Sequence, residues 1–472
     1  MLNYLPKYFT TKAITLYIGV LVLVNVVFFA HALPILWWIF GIVEVVCFFY
    51  FSNLFTRQWS DFSPKYFYKK LFSTALILRV TWVLFSYLFF KYMTGQSFDF
   101  NTGDAKNYHE IAQSLIPLNG FNEIWEHLMK AQKGAGGVSD TGYVLYLTGV
   151  YRIVGDGLLI PRLLKALYSA ITCVLIYRLA KRNFGEEVGR MAAIFCMLLP
   201  NLIYYSGLHL KEAEMVFLGV WFVERADLLI RNNKYTFLTV LPTLLIAASL
   251  FFFRTVLGAT AIFALFSTIL FSSKRVVSLN KRVVIMIWIG IAGAYLVGGR
   301  IAGDVETVWN AKTTNQDNTL KWRAKRQGGN ALATKASGAI FAPLIFVIPF
   351  PTMVNTPNQE EMQLLNGGNY IKNIMAFFVM FALFRVIREK KWRDYILIGS
   401  FTIGYLVIIA LSAFAQSERF HQPALPFLMI FAALGISKVT NNEKKYFKLY
   451  MAFIFVAIVG WSWFKLAGRG LT

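Results

Sequence analysis

The sequence predicts an all-α fold, a polytopic transmembrane helical bundle. Of its 472 residues, 57% are hydrophobic and only 15% are charged. The apolar residues are gathered in long blocks, and about thirteen of these approach the roughly 20 residues that a helix needs to cross a bilayer. This composition excludes a soluble globular domain. Segments of about ten residues with alternating polarity, which would indicate a transmembrane β-barrel, do not occur in the sequence.

Basic residues fix the predicted path of the first three spans. The first two, about 13–31 and 34–55, form a hairpin with Lys and Arg clusters at its two free ends. Cytoplasmic loops are enriched in these residues, so both ends are expected in the cytoplasm. The third span, about 71–93, then leads outside into the largest external loop, residues 94–158. The basic residues are Lys7, Lys12, Arg57, Lys65, Lys69 and Lys70.

The same rule extends the topology to the C-terminus, which is expected outside. The stretch 339–353 is short and carries three prolines, and if it crossed, the basic cluster at 385–393 would lie outside. We therefore interpret it as a re-entrant or interfacial segment. The remaining predicted spans are about 159–180, 187–205, 211–230, 236–253, 256–273, 283–299, 371–387, 394–414, 421–438 and 447–466.

This path divides the chain into four parts. Residues 1–70 form a two-helix hairpin with a cytoplasmic linker, and residues 71–300 form a transmembrane core that includes the external loop 94–158. Residues 301–370 are an external basic loop with the re-entrant segment, and residues 371–472 are the C-terminal transmembrane helices.

The chain is strongly basic, with a formal net charge of +23 from 47 Lys and Arg against 24 Asp and Glu. Lipid headgroups, phosphates and diphosphates are the expected anionic partners, besides the bilayer itself, and no nucleic-acid partner is expected. Most basic clusters are explained as topology signals. The exception is the external run at 321–326, which either meets an anion or is simply solvated.

An amphipathic helix is expected just after the third span. From Asp104 onward, Tyr108, Ile111, Ala112 and Leu115 recur at helical spacing, which favours a helix along the outer membrane surface. Asp104 would stand at its start, where it can cap the free amide groups. A carboxylate at the mouth of a helical bundle can also accept a proton, and the two roles are compatible.

Three stretches together resemble the GT-C superfamily of membrane glycosyltransferases, which includes protein O-mannosyltransferases and the aminoarabinose transferases of lipid A. The first is Gly103-Asp104-Ala105 with Tyr108, Ile111 and Ala112. The second runs from 142 to 167, with an aromatic-rich helix, a Gly turn and the sequence RLLKAL. The third, at 418–427, is ERFHQPALPF. The resemblance covers most of the chain from residue 71 and implies a GT-C-like core, with amphipathic helices in the first large external loop.

The resemblance also implies a reaction. These enzymes use sugars carried on polyprenyl phosphate or diphosphate and invert the anomeric centre, with an acidic residue of the first external loop as catalytic base. By this likeness the base is Asp104. The family's usual acidic pair is not fully reproduced, because Gly103 and Ala105 flank Asp104.

The chemistry of such a reaction selects further candidates. A departing phosphate needs cations, and an acceptor hydroxyl needs a carboxylate to take its proton. Glu212 is the second choice for the base after Asp104. The candidate phosphate-binding residues are Lys211, Arg254, Arg323, Lys325, Arg326 and Arg419, and the candidate substrate-binding residues are Tyr108, His109, His209, Glu214 and His421. The charges near 211 can instead simply end a helix at the interface.

We therefore expect an inverting glycosyltransferase of a bacterial inner membrane that acts on the periplasmic face. It would move a sugar from a polyprenyl-phosphate(-diphosphate) donor to a glycan, lipid or protein acceptor. The alternatives are an O-antigen or capsular polysaccharide polymerase or ligase and, in another class, a lipid-linked oligosaccharide flippase. His109 has no second His or Cys at ligand spacing, so no metal site is predicted, although a divalent metal as cofactor stays open.

Overall fold

The structure is a computed structural model that describes residues 2–100, 103–131, 139–231, 237–273, 321, 324–325, 329–334, 342–412 and 414–471. These residues form helices and connecting segments without a β-strand, as predicted. The α-helices are α1 (Lys7–Val27), α2 (Ile35–Gln58), α3 (Pro64–Thr94), α4 (Gly103–Ser114), α5 (Phe121–Ala131), α6 (Thr141–Val154), α7 (Leu159–Phe184), α8 (Glu186–Leu198), α9 (Pro200–Ser206), α10 (Glu212–Arg231), α11 (Phe237–Phe253), α12 (Thr255–Phe271), α13 (Glu360–Leu364), α14 (Asn366–Arg388), α15 (Ile396–Ala410), α16 (Glu418–His421), α17 (Leu425–Lys438) and α18 (Lys444–Ala467).

The helices confirm a multi-pass membrane protein. In the described ranges, seven are long and apolar enough to cross a membrane, and α8 with α9 makes an eighth if this pair, bent by 52°, is one span. Three further apolar helices, α11, α12 and α15, are shorter. Helices occupy the predicted positions of the spans, but thirteen crossings are not established by length and composition. The predicted span at 283–299 lies outside the described residues.

Helix α7 stands at the centre of the bundle and packs against α3, α8 and α10. Arg162 lies in its first turn and Arg182 in its last, so the two ends of the bundle are about 30 Å apart at 1.5 Å per residue. The Arg182 end carries an ion-pair network in which Arg182 contacts Glu224 at 2.7 Å and Asp227 at 3.1 Å. The basic segments around Arg57 and Arg393 lie at this end, because Arg190 donates to the carbonyl of Trp59 at 2.7 Å and Phe184 contacts Tyr395.

The break between α8 and α9 is stabilised by a buried arginine. Pro200 has no amide hydrogen to donate to the carbonyl of Cys196, so the break frees backbone acceptors inside the bundle. Arg79 of α3 is fully buried and donates to the carbonyls of Cys196 at 3.1 Å and Met197 at 3.2 Å. It also donates to the hydroxyl of Ser169 at 2.5 Å. This span is thereby tied to α3 and α7.

The predicted re-entrant stretch is described from residue 342 onward. It begins with a short 3-10 helix, Ala342–Leu344, and continues as buried irregular chain to Val354, which pairs with Ala32. No α-helix occurs in this described part of the stretch. The side chain of Asn373 donates to the carbonyl of Pro349 at 3.0 Å. Irregular backbone at membrane depth requires such internal partners.

The amphipathic helix predicted from Asp104 is confirmed as α4. Tyr108, Ile111, Ala112 and Leu115 are buried, as the sequence pattern requires. Their face is covered by protein, because α4 packs against α6. Packing on α6, and not only contact with lipid, therefore holds the start of α4 at the mouth of the bundle.

Candidate active site

One guanidinium joins the two candidate bases. Arg419 donates through Nε to Glu212 Oε1 and through Nη1 to Asp104 Oδ2. The side chain of Asp104 is 59% exposed and that of Arg419 19%, whereas Glu212 is completely buried. Three distant parts of the chain, the starts of α4, α10 and α16, therefore meet at one point. Asp104 lies at the exposed edge of this group, and Glu212 lies at its buried side.

Lys211 adds a second cation on the same side of the bundle. It is buried just before α10 and contacts Asp140 Oδ1. The hydroxyl of Tyr108 donates to Asp140 Oδ2 at 3.1 Å, so Asp140 joins α4 to Lys211. Burial and nearby Arg254 lower the pKa of the Lys211 amine to about 7, and Glu212 opposes this shift.

Arg254 is the third cation. It lies between α11 and α12 in extended backbone, and its guanidinium is 4.2 Å from the centre of the Phe420 ring. Because Phe420 follows Arg419 directly, this cation–π contact holds Arg254 near the central group. Lys211, Arg254 and Arg419 together can donate hydrogen bonds to a phosphate group.

Two of the histidines predicted to bind substrate belong to one hydrogen-bonded chain. The Tyr151 hydroxyl lies 2.8 Å from His109 Nδ1 and 3.0 Å from His209 Nε2. Burial lowers the pKa of both imidazoles, that of His209 well below its usual value. His109 is partly exposed and can reach a ligand, whereas buried His209 acts through Tyr151.

Buried Lys165 holds the turn before α10 in place. Its amine donates to the Tyr143 hydroxyl and to the carbonyl of Leu208, each at 2.9 Å. Glu214 lies 3.7 Å from the same amine. The turn is also close to α3, because a side chain at Gly207 would collide with Trp82. Glu214, predicted as a substrate-binding residue, is thus placed as the ion-pair partner of Lys165.

The structure does not bring all the predicted residues together. His421 is buried and lies 2.8 Å from Lys372 Nζ, apart from the contacts of Arg419. Lys325 is exposed, and no contact joins it to Asp104 or Arg419 in the described part of the chain. The predicted phosphate-binding residues Arg323 and Arg326 lie outside the described residues.

Two further observations complete the site. Asp140 was missed by sequence reasoning, although it links Lys211 to Tyr108. Its backbone φ of 79° is unusual for a residue other than Gly and marks a constrained position, but the sequence does not signal it. Among the described residues, no group of three or more His, Cys, Asp or Glu side chains is arranged to hold a metal ion.

Comparisons with known proteins give one family. Residues 108–301 match the model of the Alg9-like mannosyltransferase family. No curated protein matches the chain by sequence.

Two solved structures are similar to the chain. Cupriavidus metallidurans ArnT bound to undecaprenyl phosphate shares 14% identity, with a TM-score of 0.43 over 83% of this chain and 64% of that one. Archaeoglobus fulgidus AglB, in complex with an inhibitory peptide and a dolichol-phosphate, shares 13% identity, with a TM-score of 0.43 over 86% of this chain and 55% of that one. The chain thus spans less than two thirds of the length of either. Over residues 108–301 the chain is therefore similar to the Alg9-like mannosyltransferase family.

Proposed function

We propose that the protein is an inverting glycosyltransferase that takes a sugar from a polyprenyl-phosphate or polyprenyl-diphosphate donor on the periplasmic face of a bacterial inner membrane. The acceptor is the hydroxyl of a glycan, a lipid or a protein. The observation that carries this proposal is the contact of Arg419 with both Asp104 and Glu212, next to Lys211 and Arg254. A base and several cations in one group suit attack by a hydroxyl and departure of a phosphate.

In the proposed reaction the acceptor oxygen attacks the anomeric carbon from the face opposite the phosphate. Asp104, the exposed carboxylate, takes the hydroxyl proton as the new carbon–oxygen bond forms. The bond between the anomeric carbon and the phosphate oxygen breaks, and its electron pair leaves with the polyprenyl phosphate. Arg419, Lys211 and Arg254 stabilise the negative charge that grows on this leaving group. One such displacement inverts the anomeric centre.

Asp104→Asn tests the choice of base. The amide cannot accept the proton, so kcat is expected to fall by a factor of about 10² to 10⁴. Transfer of radiolabel from undecaprenyl-phosphate hexoses in membrane vesicles measures this loss. Glu110→Gln, an exposed carboxylate on the same helix α4, is the matched control and should keep wild-type turnover. Unchanged turnover by Asp104→Asn would contradict the assignment.

The form of the donor separates this proposal from the polymerase or ligase. Vesicles supplied in parallel with monophosphate-linked hexoses and with diphosphate-linked oligosaccharides distinguish the two. Turnover with the monophosphate donor supports a single-sugar transferase. Turnover only with the diphosphate-linked oligosaccharide supports a polymerase or ligase instead.

A further inference from the structure

A second polar group lies beside the Arg419 contact and has no part in the reaction described above. Asp99 lies in the segment between α3 and α4, Arg162 in the first turn of α7, and Glu361 on the short helix α13. Asp99 is 2% exposed and Arg162 is completely buried, whereas Glu361 is partly exposed. Charged groups are rarely buried to this extent unless they have a partner or a ligand.

The hydrogen-bonding capacity of this group is largely unused. Asp99 shares a side-chain hydrogen bond with Glu361, and no other donor reaches its two oxygens among the described residues. Arg162 donates through Nη2 to the carbonyl of Ser97, but its Nε and Nη1 have no acceptor in that part of the chain. The buried hydroxyl of Tyr204 likewise has no hydrogen-bond partner among the described residues. Unmade hydrogen bonds of buried groups cost stability, so a polar ligand is the expected partner.

The charges of the group favour a neutral ligand. Burial and the neighbouring Asp99 raise the pKa of Glu361 well above its usual value, which favours its protonated form. Burial also raises the pKa of Asp99, although Glu361, Arg162 and Arg419 oppose this shift. With one proton shared between the two carboxyl groups, cationic Arg162 balances the remaining negative charge. The three groups offer both donors and acceptors, as sugar hydroxyls require, and Arg162 repels a metal cation.

The position of the group also fits a sugar. Arg419 acts electrostatically on both Asp99 and Glu361 while its own N–H groups contact Asp104 and Glu212. The polar group therefore lies within electrostatic range of Arg419, one of the cations proposed to hold the leaving phosphate. In a glycosyl phosphate the sugar ring is bonded directly to the phosphate, so the two parts of one donor need two adjacent subsites of these two kinds.

We propose that Asp99, Arg162 and Glu361 form the subsite that binds the hydroxyl groups of the donor sugar. This inference rests on the proposed function, because it divides the donor between a phosphate subsite at Arg419 and a sugar subsite at Asp99. The three residues bind the sugar ring and take no part in proton transfer.

Direct binding tests the subsite without requiring turnover. The full-length protein in detergent is titrated with undecaprenyl-phosphate mannose, glucose and galactose, and separately with sugar-free undecaprenyl phosphate. The wild type is expected to bind at least one hexosyl lipid more tightly than the sugar-free lipid. A lost hydrogen bond to a charged group weakens binding roughly 10- to 100-fold, so Asp99→Asn and Glu361→Gln should lose this preference while keeping their affinity for undecaprenyl phosphate. Glu360→Gln, the neighbouring partly exposed carboxylate, is the matched control.

The outcomes are distinct. A preference for the hexosyl lipid that both variants retain overturns the subsite, and so does a wild type without any preference. Titration with Mn²⁺ alone forms the second arm, and Mn²⁺ binding that Asp99→Asn abolishes would show a cation site instead. Radiolabel transfer by the wild type is measured separately. If the wild type transfers sugar but the two variants keep the wild-type sugar preference, only the subsite is overturned. If the wild type shows a sugar preference that both variants lose, but does not transfer sugar, only the proposed function is overturned. Thermal unfolding in the same detergent confirms that each variant is folded.

Discussion

At the residue scale, the double contact of Arg419 depends on the shape of its side chain. Guanidinium nitrogens point in fixed directions, so Nε can serve Glu212 while Nη1 serves Asp104. A lysine ammonium is a compact point charge on a flexible stem and does not reproduce this fork. The two acids are therefore expected to be held in register by arginine and not by positive charge alone.

Arg419→Lys tests this requirement. We expect kcat/KM for the lipid-linked donor to fall roughly 10- to 100-fold, because one charge-assisted hydrogen bond of about 1.5 to 3 kcal/mol is lost. Steady-state transfer in vesicles measures the effect. Arg393→Lys, at the opposite end of the bundle, should change nothing. Equal activity of both variants would show that charge alone is sufficient at position 419.

Glu361 gives a pH dependence of stability with a definite sign. Its pKa is raised in the folded protein, whereas in the unfolded chain it is near the usual 4.3. Above that pH the folded state holds a proton that the unfolded state has lost, so stability falls as pH rises towards the folded pKa, by up to about 1.4 kcal/mol per pH unit. The unfolding temperature of the wild type should therefore decrease from pH 5 to pH 8.

Glu361→Gln should flatten this decrease, because glutamine does not titrate. Glu360→Gln, in which the pKa of Glu361 is unchanged, should keep the wild-type slope. Thermal unfolding at a series of pH values in one detergent gives both slopes. A wild-type slope in the Glu361→Gln variant would mean that Asp99 or another carboxyl group holds the proton.

The sequence revealed only those site residues that stand in a recognisable pattern. Asp104 and Arg419 lie in motifs that resemble a known family, and Lys211 and Glu212 lie at a predicted helix start. Asp140 follows no periodic segment, and its importance arises from a contact with Lys211, 71 residues away. Long-range side-chain pairs of this kind leave no local signal, so a single sequence does not predict them.

At the element scale, the break between α8 and α9 was also predictable only in part, because its position has a local sequence signal and its packing does not. Apolar composition predicted one span at 187–205, and Pro200 favours a break within it. The bend of 52° and the arginine that stabilises it follow only from the packing of α3 against this span. Buried charges inside spans are typical of transporters, but Arg79 donates its hydrogen bonds to backbone carbonyls at this break.

Arg79→Met should destabilise the bundle. The substitution leaves the carbonyls of Cys196 and Met197 unpaired, at a cost of about 1 to 3 kcal/mol each. Thermal unfolding in detergent is expected to show a clear decrease in the unfolding temperature. Arg178→Met, an exposed arginine on α7, is the control and should have little effect. Equal stability of the Arg79→Met variant and the wild type would contradict this role.

At the scale of the whole molecule, the charged residues at the two ends of the bundle have different roles. The Arg182 end carries the ion pairs of the predicted cytoplasmic loops, and the other end carries the candidate active site. Helices about 30 Å long separate them, which is the thickness of a bilayer core. Once the side of the membrane on which one end lies is known, the side of the candidate active site is known too.

Cysteine labelling tests this orientation. Asn107→Cys on α4 and Lys391→Cys after α14 are both exposed, and Cys47→Ser removes the exposed native thiol. A membrane-impermeant maleimide is expected to label the residue 107 variant in intact spheroplasts and the residue 391 variant only after lysis. The reverse pattern would place the candidate active site in the cytoplasm and overturn the proposed periplasmic reaction.

The shared guanidinium of Arg419 has a consequence for the order of events. An anion that binds Arg419 competes with Asp104 for the same N–H groups, so occupancy by a phosphate and release of the carboxylate are linked equilibria. While the ion pair is intact, one carboxylate oxygen of Asp104 is occupied by Arg419. Arrival of the donor phosphate therefore frees this oxygen at the moment when a nucleophile needs it, whereas in the idle protein the carboxylate stays engaged with Arg419.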